Sequence, residues 1–322
     1  MPNAKKNLLR QCLALKPGER MLIISDNLLE TGIAEYFVKE AKKITNRVQL
    51  VCINPTGGHG VEPPEKIAKI MAEYDVILLP TYYSLSHTRA RKDACQKGAR
   101  IASMPGITWD TIKRTLSIDY CPIAALSKKV ASLLSRAKIA HLTSPSGCDL
   151  LFDLSSRRGI ADTGLFTKPG DFGNLPAGEA FIAPVEGKTE GRLVFDKVYG
   201  DKKLKSPLVF EVKKGLAEPV ASKDGPCSSA GSVLAEIQSE LSYLGSKARN
   251  IAELGIVTNP AAALSGGLLE LEKIYGSAHV ALGNNIHFGG TVDVPYHVDG
   301  LILNPTLKLD GKIIIKHGHI SV

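Results

Sequence analysis

No stretch of this sequence approaches the ~18 consecutive apolar residues of a membrane-spanning helix, so we expect no membrane partner. The six cysteines are scattered and form no CxxC pair, which excludes a disulfide framework and a zinc knuckle. Neither GxGxxG nor GxxxxGK[ST] occurs, so no dinucleotide or P-loop signature is present. Residues 1–6 lack the apolar stretch of a signal peptide, and we expect a cytoplasmic protein.

Charge gives little support to a nucleic-acid-binding protein, although the formal net charge is +8. The basic pairs are spread along the whole chain, and no run of aromatic residues accompanies them to stack on bases. Hydrophobic residues make up 44% of the chain and charged residues 22%, the balance of an ordinary globular protein. We therefore interpret the basic residues as solvated surface and expect no nucleic-acid partner.

The first 137 residues alternate short apolar runs with amphipathic helical patterns. Such continuous apolar strands, alternating with helices, are typical of a parallel sheet covered on both faces. We predict an α/β domain over residues 1–137, doubly wound and flavodoxin-like or Rossmann-like. Its strands are expected at Arg20–Asp26, Val48–Asn54, Val76–Pro80 and Arg100–Met104.

From residue 138 onward, strand and turn patterns replace the helices. Gly- and Pro-rich links such as Lys168–Pro176 separate the apolar runs, and only Ala230–Asn250 is typical of a long helix. This pattern indicates an α+β, strand-rich domain over residues 138–322.

The C-terminal half contains a candidate metal site around His279, His297 and Asp299. Residues two apart on a strand project from the same face, so His297 and Asp299 are able to ligate one ion together. Two histidines and one carboxylate suit a divalent metal with open coordination positions. The alternative is that His297-Val-Asp299 is a surface pair in a loop, because short H-x-D matches are common.

Two glutamates stand in apolar surroundings that favour a buried role. Glu179 begins the apolar run Glu179–Ala183, and Glu253 lies within Ile251–Val257. A carboxylate inside an apolar strand is costly unless it is paired or bound to metal. The alternative for each is a glutamate at a strand end that reaches water.

These segments resemble the aminopeptidase T/aminopeptidase S family of metallopeptidases, in sequence order and in approximate spacing. The resemblance implies a hydrolase in which two divalent ions, zinc, cobalt or manganese, activate water to cleave an N-terminal peptide bond. It implies a small peptide or small-molecule substrate, a homodimer, and catalytic roles for Glu179 and Glu253. The implied metal ligands are Glu179, Glu253, His279, His297 and Asp299.

One position departs from the resembling family. The family has a tyrosine seven residues after its first histidine, where this chain has Ile286. Tyr275 or Tyr296 is a candidate replacement, and His287 is a candidate substrate or outer contact; an exposed loop histidine is the alternative for His287.

Two further functions stay open at this point. The resembling superfamily includes 2,5-dihydroxypyridine 5,6-dioxygenase, in which two histidines and an aspartate hold Fe(II); His279, His297 and Asp299 would take that role here, as a facial triad. The second alternative is a binding module without turnover on a degenerate metallopeptidase scaffold, because fold alone does not imply function.

Overall fold

The computed structural model describes residues 7–220, 229–262 and 275–322. Contacts between α-carbons divide them into two compact units. The first unit contains residues 7–124, 163–177 and 261–262, and the second contains residues 125–162, 178–220, 229–260 and 275–322. The division near residue 138 suggested by the sequence stays a prediction.

The helices of the described residues are mostly short. A π-helical turn spans Asn7–Cys12, and 3-10 turns span Ser246–Arg249 and Ile286–Phe288. The α-helices are α1 (Ile33–Ala41), α2 (Glu65–Met71), α3 (Arg89–Gln96), α4 (Trp109–Thr115), α5 (Tyr120–Arg136) and α6 (Ser229–Leu244). No described helix is both long and apolar enough to span a bilayer.

Strands account for most of the regular structure after residue 138. In chain order the strands are β1 (Met21–Asp26), β2 (Val48–Ile53), β3 (Val76–Leu79), β4 (Arg100–Ser103), β5 (Ile139–Thr143), β6 (Asp149–Asp153), β7 (Ile160–Asp162), β8 (Phe172–Asn174), β9 (Glu179–Ile182), β10 (Glu190–Phe195), β11 (Val198–Tyr199), β12 (Lys202–Lys203), β13 (Leu208–Lys213), β14 (Leu216–Pro219), β15 (Ile251–Val257), β16 (Ala278–Gly283), β17 (His297–Ile302), β18 (Thr306–Leu309), β19 (Lys312–Lys316) and β20 (His319–Ile320).

The first unit is built on a parallel five-stranded sheet in the order β2-β1-β3-β4-β8. This is the strand order of flavodoxin-like doubly wound folds. The two faces of the sheet pack into separate apolar clusters: Ile23 and Leu78 belong to one, and Leu22 and Ile77 belong to the other. Burial on both faces explains why these strands are continuous apolar runs in the sequence.

The fifth parallel strand, β8, lies inside the segment predicted as a Gly- and Pro-rich link. The prediction was wrong for Phe172–Asn174 because three residues containing a glycine give no apolar periodicity. Gly173 is required there, since the ring of Phe166 lies 2.3 Å from where a β-carbon of residue 173 would be. Tertiary packing, which a local pattern does not contain, selects this strand.

The second unit contains two antiparallel sheets. The eight-stranded sheet has the order β14-β13-β10-β6-β5-β18-β19-β20, and the seven-stranded sheet has the order β12-β11-β17-β16-β15-β9-β7. Residues from both sheets, from α5 and from α6 share one apolar core, which includes Leu134, Phe152, Ile237, Leu254 and Val280. The predicted fold class, a parallel α/β sheet followed by strand-rich α+β structure, is confirmed.

Candidate metal site

Four neighbouring strands of the seven-stranded sheet bring the five predicted ligands to one face. Across the antiparallel ladder, Glu253 pairs with Ala281 and Ala281 pairs with Asp299. Directly paired residues project from the same face. The same pairing and the two-residue alternation along β9, β15, β16 and β17 add the other four side chains to the face of Glu253; these are Glu179, His279, His297 and Asp299.

The opposite face of these strands is apolar and forms part of the core of the unit. Its residues alternate with the site residues along each strand; they are Ala180, Ile182, Leu254, Ile256, Val280 and Leu282. The polar face of the sheet carries two buried site residues, Glu253 and His279, beside Glu179 and Asp299, which are partly buried, and His297, which is exposed.

Glu253 is the centre of the cluster. One oxygen, Oε1, lies 3.2 Å from Nε2 of His279, and the other, Oε2, lies 3.5 Å from Nε2 of His297. Nε2 of His279 also lies 3.6 Å from Oε2 of Glu179, and Nε2 of His297 lies 3.8 Å from Oδ2 of Asp299. The structure thus brings all five residues within ion-pair distance of a neighbour in the cluster.

Burial of this much charge has electrostatic consequences. The side chains of His279 and Glu253 are only 4% and 8% exposed. Burial raises the pKa of Glu253, against the opposing effects of its histidine neighbours. Burial alone would lower the pKa of His279, but the contact with Glu253 and the charges of Glu179 and Asp299 outweigh it and raise this pKa to about 9. A cluster with more carboxylates than imidazoles attracts a cation.

The donor set fits a divalent metal ion. Ligand atoms from Glu253, His297 and Asp299 lie within 4.8 Å of one another. Among the described residues, Oδ1 of Asp299 and Nδ1 of His279 are buried and have no hydrogen-bond partner. A buried carboxylate oxygen without a donor is costly, and a bound cation removes that cost. Imidazole and carboxylate together are ligands of first-row divalent metals.

The orientation of His297 is set by the main chain. Its Nδ1 lies 2.8 Å from the carbonyl oxygen of Asn284. A carbonyl only accepts, so Nδ1 carries the proton and donates it. Nε2, the nitrogen that faces Glu253 and Asp299, is then available as a ligand when the ring is neutral. Such an outer hydrogen bond is the usual support of a metal-ligating histidine.

Small residues leave room for the cluster. Gly255 pairs directly with His279, and Ala281 stands between Glu253 and Asp299 in the ladder. A glycine inside a strand often marks the close approach of another group, here the imidazole of His279. The glycine in Ile251–Val257 is the sequence signal that could have pointed to this arrangement.

An aromatic wall, Phe181 and Phe288, adjoins the cluster and was missed by the sequence analysis. The ring centroids of Phe288 and His297 lie 5.8 Å apart with an interplanar angle of 89°. Phe181, on the site face of β9, meets Phe288 at 5.6 Å and 84°. No sequence signal links these residues, because they are far apart along the chain and belong to a strand and a 3-10 turn.

The structure gives the surroundings of the remaining predicted contacts as follows. Tyr296 is buried in the core, where its hydroxyl lies 2.6 Å from the hydroxyl of Tyr199. His287 is exposed in the 3-10 turn, beside Ile286, which is 41% exposed. Tyr275 is 39% exposed. Among the described residues, no contact brings Tyr275 or Tyr296 into the cluster, although the charge of Asp299 acts on the buried phenol of Tyr199.

Comparisons with known proteins identify the family. The family model described as 2,5-dihydroxypyridine 5,6-dioxygenase (NicX) matches residues 1–322. The structure of 2,5-dihydroxypyridine dioxygenase from Pseudomonas putida KT2440 is similar, with a TM-score of 0.79 at 17% identity, over 99% of this chain and 96% of that one. Wild-type AmpT from Thermus thermophilus is similar with a TM-score of 0.69 at 18% identity, over 99% of this chain and 98% of that one. A search of curated proteins found no match.

The predicted function was wrong in its main form. The whole-chain family match contradicts a metallopeptidase or hydrolase of aminopeptidase type and supports the dioxygenase that the sequence analysis held as an alternative. The error has a physical cause. The five residues behind the peptidase resemblance occupy one face of a sheet that two structurally similar proteins share in fold, so they do not by themselves select a reaction. The chain is an enzyme whose carboxylate and imidazole cluster suits a divalent metal.

Proposed function

Because this chain belongs to the 2,5-dihydroxypyridine 5,6-dioxygenase family, we propose that it is a mononuclear, Fe(II)-dependent ring-cleaving dioxygenase acting on a hydroxylated nitrogen heterocycle. The proposed ligands are His279, His297 and Asp299. The observation that carries this proposal is the match of the family over the whole chain, together with the convergence of these side chains on one face of the sheet.

The ligand set is that of a two-histidine, one-carboxylate facial triad, which leaves coordination positions open. His297 and Asp299 come from one strand, two residues apart, and His279 comes from the neighbouring strand. A carboxylate oxygen of Glu253 also lies within 4.8 Å of ligand atoms of His297 and Asp299. We assign Glu253 and Glu179 to the lining of the site, with Glu253 as the carboxylate whose removal tests the assignment.

Iron(II), when bound, supplies the redox chemistry and open positions that O₂ needs to react with an aromatic ring. The residues of the chain supply orientation and proton control. His297 donates from Nδ1 to the carbonyl of Asn284 and so presents Nε2 to the ion. Oε1 of Glu253 lies 3.2 Å from Nε2 of His279, and Glu253 would take up the Nε2 proton of the imidazolium if that nitrogen served as a ligand, leaving a neutral ring with its proton on Nδ1.

The aromatic wall fits a flat substrate. Phe288 is partly exposed beside His297, and its ring is held edge-on by Phe181. We propose that a planar heterocycle packs against Phe288 with its hydroxyl groups directed toward Glu179 and Glu253. A carboxylate at this position accepts a proton from a ring hydroxyl, as general-base catalysis requires.

The test combines metal analysis with an oxygen-uptake assay. Protein purified without oxygen is analysed for bound metal, and 2,5-dihydroxypyridine is then added in air-saturated buffer. We expect one iron per chain and uptake of one O₂ per ring lost, because a dioxygenase places both oxygen atoms in the product. His279→Ala and Asp299→Ala should lose the iron, whereas Glu253→Gln should retain it.

His141→Ala is the matched control, because His141 pairs with Asp149 at 2.7 Å on the other sheet of the same unit. It should keep both the iron and the activity. Two ions per chain, lost together in Glu253→Gln, would contradict the mononuclear assignment. Iron that remains bound while no oxygen is consumed would contradict the proposed substrate class.

A further inference from the structure

The segment 284–296 joins the strands that carry His279 and His297, and it is held from outside by Glu186. Oε1 of Glu186 accepts hydrogen bonds from the side-chain amide of Asn285 at 2.9 Å and from the backbone N–H of Thr291 at 2.8 Å. Oε2 forms an ion pair with the guanidinium of Arg157. One carboxylate thus receives three donors, two of them from the segment.

Arg157 also contacts the segment 284–296 directly. Its second terminal nitrogen donates to the carbonyl oxygen of Gly289, on the segment itself. The side chains of Arg157 and Glu186 are 13% and 20% exposed, so water screens the pair only partly. Burial raises the pKa of Glu186, but the hydrogen bonds and the Arg157 charge outweigh this effect and lower it, which keeps the carboxylate ionised.

Asn285 links Glu186 to the rest of the segment through further hydrogen bonds. Its side-chain oxygen accepts from the N–H of Val292 at 2.9 Å, and its backbone carbonyl accepts from the N–H of Gly290 at 2.9 Å. The residue is fully buried. Gly290 allows this arrangement, because a β-carbon there would lie 1.9 Å from the side-chain Cγ of Asn285. The segment is folded around one buried amide.

Two groups of the site depend on this fold. Asn284 precedes Asn285 directly, and its carbonyl oxygen is the acceptor that orients His297. Phe288 lies between Asn285 and Gly289, and its ring packs against His297. A displaced segment would therefore move both the acceptor of Nδ1 and the aromatic wall.

We infer that the Arg157–Glu186 ion pair is a positioning device for His297 and Phe288. It acts through Asn285 and the Asn284 carbonyl, and it sets the ring orientation and the tautomer with which His297 presents Nε2. The inference rests on the proposed function only in treating His297 as a metal ligand; the tautomer itself is a property of the chain.

The chain offers a close control for the substitution of Glu186. Glu19 and Arg100 form a similar, largely buried ion pair at 2.6 Å in the other unit, with side chains 23% and 6% exposed. Glu186→Gln and Glu19→Gln remove the same charge from similar surroundings. Glu186→Ala is the stronger variant, and Glu186→Gln keeps an amide oxygen for Asn285 and Thr291 if the alanine variant does not fold.

Two measurements separate positioning from general stability. Nitrogen-15 NMR of the histidine rings in protein stripped of metal reports the tautomer of His297, and calorimetric titration with Co²⁺ reports metal affinity. In Glu186→Gln we expect a mixture of tautomers and a loss of Co²⁺ affinity of roughly 10-fold or more, the usual size of such outer contributions. Glu19→Gln should lose thermal stability by a similar amount while both readouts stay as in the wild type.

The inference is overturned if Glu186→Gln lowers the melting temperature but leaves a single Nδ1–H tautomer and a Co²⁺ affinity within twofold of the wild type. A wild-type protein that binds Co²⁺ but, when loaded with Fe(II), consumes no oxygen with 2,5-dihydroxypyridine would contradict the proposed function alone. In that case the effect of Glu186→Gln on the tautomer still supports the positioning role.

Discussion

The imidazole of His279 occupies the space in which Gly255 would otherwise carry a side chain. A β-carbon built on Gly255 would lie 1.9 Å from Nε2 of His279, well inside any real contact distance. The two residues pair directly across β15 and β16. The absence of one side chain is therefore a requirement for the position of the other.

Gly255→Ala should impair metal retention more than it impairs folding. The new methyl group displaces the imidazole, because the strand backbone is held on both sides by neighbouring strands. We expect iron content to fall by at least half, with a loss of stability of ~1–3 kcal/mol from overpacking. Gly58→Ala, whose β-carbon would meet only the side chain of Val61 at 3.3 Å, is the control and should retain its iron. Full iron content in Gly255→Ala would contradict a fixed position for His279.

The hydroxyl pair of Tyr199 and Tyr296 should contribute to stability and not to catalysis. Burial raises the pKa of both phenols, that of Tyr296 to about 12, so both stay protonated and one donates to the other over 2.6 Å. Tyr199→Phe leaves a buried hydroxyl without this partner and should cost ~1–3 kcal/mol in urea unfolding.

Changing both tyrosines to phenylalanine should recover part of that loss, because no orphaned hydroxyl remains. Tyr243, which is 90% exposed, supplies the control, and Tyr243→Phe should leave the unfolding midpoint unchanged. A large fall in kcat with unchanged stability in Tyr296→Phe would instead place Tyr296 in the catalytic machinery.

Phe288→Leu should weaken substrate binding. Removing the ring takes away an aromatic contact of ~0.5–1.5 kcal/mol, which corresponds to roughly a 2- to 12-fold rise in KM. Iron content should stay near the wild-type level, because the ligands themselves are unchanged. Phe172→Leu, in the parallel sheet of the other unit, controls for loss of an aromatic ring alone. A KM equal to that of the wild type would exclude Phe288 from the substrate site.

Cysteine labelling offers a check on burial that is independent of metal. Burial raises the pKa of Cys148 to about 12, so at pH 8 roughly one thiol in ten thousand is ionised. Cys52 and Cys121 are exposed. Iodoacetamide at pH 8, followed by mass spectrometry, should modify Cys52 and Cys121 well before Cys148; equal rates would contradict the burial of Cys148, which directly precedes β6. Cys227 lies outside the described residues.

The sequence predicted most of the regular structure where each element carried its own signal. The apolar runs that became β1, β3 and β4 are buried on both faces, and such strands are recognisable without tertiary information. The run that became β2, at the edge of the sheet, is mostly exposed or partly buried. The three-residue strand β8 was missed, because its place depends on pairing with Ile101 and on packing around Phe166.

Part of the candidate site was predictable from the sequence and part was not. The two-residue spacing of His297 and Asp299 predicts a shared face, and the structure places them so within β17. The aromatic wall and the Arg157–Glu186 pair were not predictable, because each joins residues more than 25 positions apart through folded segments. The reaction itself was not predictable from the five polar residues, since the choice between hydrolysis and oxygenation depends on what surrounds them.

The five site residues come together only when β9, β15, β16 and β17 pair in the register of the structure. A slip of one residue in β16 would turn Val280 toward the polar face and bury His279 against the core, so partial assembly of the cluster is not a stable option. The segments between the strands carry no such restriction. Residues 284–296 are held by Glu186 and the buried Asn285 instead of by strand register, so a substitution there would shift Phe288 and the acceptor of His297 while the ladder keeps the five polar positions in place.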